Sequence, residues 1–164
     1  LARLVSFRDP FAPEFELSSG WQLSNALIGI GRGDLFGIGL GNSIQKNLYL
    51  PEPHTDFIFA IILEETGIIG GFLLMLLFIL LITSIVQISF DALRQNRLFQ
   101  GYVCFGIGSL LSIQSIFNIG VNIGLLPTKG LTLPFISYGG ASLIIFMLMM
   151  GIVFRVDFEN RNLD

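Results

Sequence analysis

A polytopic membrane bundle of α-helices is the fold this sequence predicts, on three observations. Of the 164 residues, 52% are hydrophobic and 13% charged, with a mean hydropathy of +0.76; a soluble domain carries about a quarter charged residues. Three stretches are apolar over the roughly 20 residues that a helix needs to cross a bilayer. The 19 Gly and 16 Phe suit lipid as well, because glycine lets helices approach closely there. The fold class is therefore all-α, with three transmembrane helices and a large outer loop that carries a short amphipathic helix.

The first span is expected from about Phe57 to Ile88, with no charge between Gly67 and Val86. The second is expected from about Gly101 to Leu126 and the third from about Pro134 to Phe154. Residues 1–56 then form the outer loop and residues 57–164 the membrane domain. Orientation follows from the short loops. "SFDALRQNR" holds Arg94 and Arg97, the tail "RVDFENRNLD" holds Arg155 and Arg161, and "PTKGLT" holds Lys129 alone. That bias puts loop 89–100 and the C-terminus in the cytoplasm and residues 1–56 outside. An outer segment of this length without a signal peptide needs a route across the membrane. The chain is thus expected to be the C-terminal part of a larger polytopic protein.

Inside the outer loop, "DPFAPEFELSSG" reads as turn and loop. Ser18 or Ser19 can cap a helix from about Gly20 to Ile30, with Trp21, Leu23, Leu27 and Ile30 forming an interfacial face. The run "GIGRGDLFGIGLG" follows, too rich in glycine for a regular helix and suited to close backbone approach. Next comes "LPEPHTD", where Thr55 or Asp56 is placed to cap the first span. The net charge of −3 and the lack of a basic run argue against nucleic acid as a partner. Cys104, the single cysteine, lies in an apolar stretch and reads as a small core or lipid-facing residue.

The ionisable residues gather at the mouth of the first span, in "YLPEPHTDFIFAIILEETG". Asp56 has two readings: a carboxylate that stabilises a helix N-terminus, or a general base in a partly desolvated cleft shared with Glu52 and His54. Glu64 and Glu65 lie two turns further in, where a carboxylate is costly and faces either a cavity or a partner on another helix. Asp56, Ala60, Glu64, Gly67 and Gly71 share a helix face, so Glu64 can sit below Asp56. His54 is a proton shuttle or a metal ligand, but it lacks a matched set of other ligands. The glycine run can nest a pyrophosphate with help from Arg32 and Lys46, although P-loop spacing is absent. In the second span Ser112, Ser115, Asn118 and Asn122 make a polar stripe, explained by interhelical hydrogen bonds more readily than by a substrate path. Beyond it, Pro127, Gly130, Pro134, Gly139 and Gly140 break the helix, which lipid tolerates only inside protein or beside water. Lys129 in that turn is either a phosphate contact or an interfacial amine.

Two long blocks, "GLGNSIQKNLYLPEPHTDFIFAIILEETGIIG" and "GLLPTKGLTLPFISYGGASL", together resemble the SEDS proteins (shape, elongation, division and sporulation), the membrane-embedded peptidoglycan polymerases of bacteria. The resemblance extends to "FRDPF" and "RVDFENR", and Lys129 within "PTKGLTLP" favours the division branch over the elongation branch. Ala141 departs from the family's usual serine, a small-for-small change. Members have about ten spans, so the resemblance implies the last three with the large outer loop before them. It implies polymerisation of lipid II into glycan strands, with undecaprenyl pyrophosphate leaving, at the outer face of the bacterial inner membrane and at the division septum. It implies Asp56 as the catalytic acid residue of "HTDF". Lys46, Lys129, Arg32, Glu52, His54, Glu64 and Ser137 complete the expected substrate-binding set. No cofactor is firmly implied, although a divalent cation (Mg or Mn) is compatible with the chemistry. A class B penicillin-binding protein and other division proteins are the implied partners. Two rival functions stand beside this one: a flippase for the same lipid, and a non-catalytic scaffold that recruits a transpeptidase. Neither has a chemical need for a base at position 56.

Overall fold

In the computed structural model, the described residues are 21–43, 56–127 and 130–162. They form helices α1 (Trp21–Gly33), α2 (Ile58–Arg94), α3 (Leu98–Asn122) and α4 (Gly140–Asn162). The last three are each long and apolar enough to cross a membrane. Together they make an all-helical bundle that presents Ile68, Phe72, Leu76, Ile113, Ile116 and Leu148 outward, as lipid-embedded helices do.

The bundle is held by a core of Ile85, Ala92, Cys104, Ile107, Leu111, Phe146, Val153 and Val156, drawn from α2, α3 and α4. The turn between α2 and α3 needs a left-handed residue and finds it in Asn96, at φ 59°, a residue type that tolerates this region. After α3, Gly124 takes φ 72°, and Leu125 donates back to Gly120 at 2.7 Å to close the helix. Residues 130–139 are irregular, so the third long helix begins at Gly140 rather than Pro134. Leu133 and Pro134 are almost wholly covered by protein, the condition for irregular backbone at membrane depth.

Two sequence expectations are corrected in the outer part. The α1 helix continues through Gly29 and Gly31 to Gly33, because the following segment docks onto α2 and holds it there. Its buried face, with Leu23, Ala26, Gly29 and Gly33, packs on α2 and α3, so Leu23 of the expected interfacial face is covered by protein. Ala26 joins Phe57, Ala60 and Val121 in one apolar cluster.

The largest departure is inside α2, which breaks at Gly67 (φ 72°, ψ −174°). That conformation is open essentially to glycine alone. The break detaches two amides and two carbonyls that a continuous helix would pair with each other. Residues 34–39 run into the gap and satisfy all four. Ile38 donates to Glu64 O at 3.0 Å and Gly39 to Glu65 O at 3.1 Å. In return Ile68 donates to Asp34 O at 2.9 Å and Ile69 to Leu35 O at 3.3 Å. This crosspiece needs main chain against main chain. A Cβ on Gly33 would strike the backbone at Leu63 and Glu64, and one on Gly37 would strike Glu65.

Candidate functional site

The site is built around the turn that starts α2. The residue at the N-cap is Phe57, which has no side-chain acceptor to offer, in place of the expected Thr55 or Asp56; Thr55 lies outside the described residues. The free helix end is served from another helix. Asn122 of α3 accepts from the Ala60 amide through Oδ1 at 3.0 Å and donates through Nδ2 to Asp56 O at 2.9 Å. Asn118, one turn earlier, donates to the same Asp56 oxygen at 3.2 Å and to Leu131 O at 2.5 Å. The two amides also contact each other, Asn122 Nδ2 lying 3.2 Å from Asn118 Oδ1. Both are almost fully buried, so these bonds are shielded from water and costly to leave unmade.

Asp56 itself is half-buried. Its carboxylate lies against Gly130, where an added Cβ would come to 3.0 Å from Oδ2. The Asp56 turn and the loop after α3 therefore face each other, with Asn118 bonded to both. Here the polar stripe divides. Asn118 and Asn122 bridge segments, while Ser112 only bonds its own backbone at Gly108 O, 2.7 Å away.

Glu64 has different neighbours from Asp56. It is fully buried and accepts from the Ser43 hydroxyl at 2.5 Å, with the Arg32 guanidinium 3.9 Å away. Arg32 of α1 and Glu64 of α2, both expected among the substrate contacts, thus face one another. Part of the glycine run is likewise engaged: the amides of Gly37, Ile38 and Gly39 all bond backbone carbonyls, which leaves those three no hydrogen for a phosphate. Ser137 accepts from Leu133 N–H at 2.7 Å and is buried, where it shapes the loop beside Asp56. Lys46, Glu52, His54 and Lys129 lie outside the described residues. Among the described residues no group of three or more His, Cys, Asp or Glu side chains converges.

Below this turn, an apolar groove of about 600 Å³ runs between α2 and α3, lined by residues that include Met75, Phe78, Ile82, Ile116, Ile119 and Leu126.

The Asn118 and Asn122 partnership with Asp56 is the part of the site that sequence reasoning missed. The four-residue spacing exposed the stripe, but nothing in the spacing identified a partner some sixty positions away. Ser43 carried no signal at all.

Comparison with known proteins places this geometry. The profile of the FtsW/RodA/SpoVE family, described as cell cycle protein, matches residues 1–162. A probable peptidoglycan glycosyltransferase FtsW of Coxiella burnetii is 54% identical over 162 residues, which cover 99% of this chain and 43% of the relative. One of the same description from Marinomonas mediterranea is 55% identical over 159 residues, covering 97% of this chain and 39% of the relative. A solved chain described under "Structural coordination of polymerization and crosslinking by a peptidoglycan synthase complex" superposes with a TM-score of 0.70 at 27% identity. That match covers 98% of this chain and 42% of the solved one. The chain thus spans about two fifths of the length of these relatives. With the family profile matched across nearly every residue, and a helical bundle of the same shape in a solved relative, the chain belongs to the FtsW/RodA/SpoVE family of cell cycle proteins.

Proposed function

We propose that this segment supplies the outer-face acid–base site of a peptidoglycan glycosyltransferase that polymerises lipid II during cell division. The observation that carries the reading is the setting of Asp56, a half-buried carboxylate on a clamped turn facing Gly130. A base must be held within hydrogen-bond reach of the hydroxyl it serves. In the reaction, Asp56 takes the proton of the acceptor sugar hydroxyl. The hydroxyl oxygen forms the new glycosidic bond at the donor's anomeric carbon. The bond from that carbon to the pyrophosphate breaks, and undecaprenyl pyrophosphate leaves with the electron pair. Lys46 and Lys129 are assigned to the pyrophosphate, where fixed positive charge favours the developing negative charge. The apolar groove between α2 and α3 suits a polyprenyl tail.

In this reading residues 1–56 lie outside the cytoplasmic membrane of a bacterium and the C-terminus inside. The enzyme works at the septum with a class B penicillin-binding protein, which cross-links the strands it makes. The test is Asp56→Asn in the full-length protein, reconstituted in vesicles with lipid II. Polymer should disappear while folded protein and lipid II binding remain. Undiminished polymer from this variant removes Asp56 from the chemistry.

A further inference from the structure

We infer that Asn118 and Asn122 are positioning residues that set the gap between the Asp56 carboxylate and the loop at Gly130, and so the rate of the sugar-transfer step. The inference rests on the base assignment for Asp56 and goes beyond it to how that base is held.

The N-cap residue of α2 is Phe57, whose side chain makes no cap bond, so the first amides of the helix look to other partners. Asn122 supplies one by closing on both sides of the turn, accepting from Ala60 N–H and donating to Asp56 O. Asn118 performs the second function. Its single NH2 group reaches Asp56 O and Leu131 O together, so one buried amide ties the turn to the facing loop. Both ends of the gap are thereby referred to the same side chain. Gly130, the residue next to Leu131, is the one whose absent Cβ leaves room for the carboxylate. A substrate hydroxyl entering beside Gly130 meets a base whose backbone is fixed from behind by a shielded pair of amides.

The alternative is that the pair merely glues α2 to α3, as polar residues in membrane helices often do. The bonds argue otherwise. Neither amide donates to the regular part of α2. Their donors go to Asp56 O, Leu131 O and Asn118 O, that is, to the irregular segments flanking the site and to the pair itself.

The experiment measures steady-state polymerisation of lipid II by the full-length protein in vesicles, together with direct lipid II binding and the yield of folded protein. Asn118→Leu keeps the side-chain volume and removes both donors. Asn122→Asp keeps the acceptor for Ala60 N–H and withdraws the donor to Asp56 O and to Asn118, so it preserves the bond to α2 while releasing the turn. Ser84→Ala, whose hydroxyl bonds only its own helix at Leu80 O, is the control.

A misplacement of about 1 Å can cost on the order of 100-fold in rate. Both Asn variants should therefore lose about 10- to 100-fold in kcat while KM and lipid II binding stay within about threefold. Full turnover in either folded variant overturns the inference. So does a parallel fall of kcat, binding and folded yield, or loss of folded protein in both, since the amides would then hold the bundle and not the site. Asp56→Asn run alongside separates the two levels. If that variant still makes polymer, the base assignment itself fails. If it is inactive while Asn118→Leu and Asn122→Asp are fully active, only the positioning role fails.

Discussion

Gly67→Ala tests the construction of the outer half of α2. The native backbone at this position, φ 72° and ψ −174°, costs a residue with a Cβ about 1–3 kcal/mol. The added carbon would also run into the main chain of Leu35 and Gly37, which cannot rotate aside as a side chain can. The variant has one escape, which is to straighten the helix. Ile68 and Ile69 would then donate to Glu64 and Glu65, recovering two helical hydrogen bonds but giving up the four that hold residues 34–39. The net loss is two bonds at about 1 kcal/mol each, and more where the freed groups stay out of water. Either route destabilises the outer region by about 2–4 kcal/mol. The assay is thermal inactivation of the detergent-solubilised full-length protein, followed by recovery of the monodisperse species. Gly31→Ala is the matched control, because a Cβ there meets nothing within 4 Å. In a helix that change should be neutral or stabilising by up to about 1 kcal/mol. A Gly67→Ala midpoint equal to the parent's would refute the crosspiece as a structural necessity.

Other outcomes follow from the same contacts. Gly130→Ala pushes a Cβ to within 3.0 Å of Asp56 Oδ2. Because that oxygen ends a movable side chain, the proposed role of Asp56 as base predicts that polymerisation by the full-length protein falls roughly 3- to 10-fold with little change in stability, read by parallel turnover and melting measurements. Glu64→Gln keeps an acceptor for the Ser43 hydroxyl and gives up a long ion pair to a half-exposed arginine, so it should cost about 1 kcal/mol or less. Glu64→Ala removes the acceptor and leaves a hole in a fully buried place, and should cost about 2–4 kcal/mol. Equal losses from the two Glu64 variants, measured by denaturation, would mean that charge rather than the hydrogen bond matters there.

The sequence shows the spans because each is written locally, in uncharged runs of bilayer length. Their ends are less legible: Pro134 looks like a helix start, yet the chain stays irregular to Gly140, held by the bond from Leu133 to Ser137. The break at Gly67 is invisible in "LEETGIIGG", since a lone glycine sits easily in a membrane helix. What makes it a break is the insertion of residues 34–39, a non-local event. The same holds for Glu64. Its depth marks it as needing a partner, but only the fold supplies Arg32 and Ser43. Asn118 and Asn122 are legible as a stripe, and their service to Asp56 is not, because a period of 3.6 reports a face and never what lies opposite it.

A rod cut through and spliced by a cross-grained peg bends at the splice. Residues 68–94 make a shaft of about 40 Å at helical rise, long enough to feel every change of thickness or tilt in the surrounding lipid. The short piece above it, from Ile58 to Thr66, is spliced to that shaft through residues 34–39 and lashed sideways to α3 through Asn122. Asp56 therefore stands on the piece that is tied to α3 and to residues 34–39, and not on the continuous shaft that crosses the lipid.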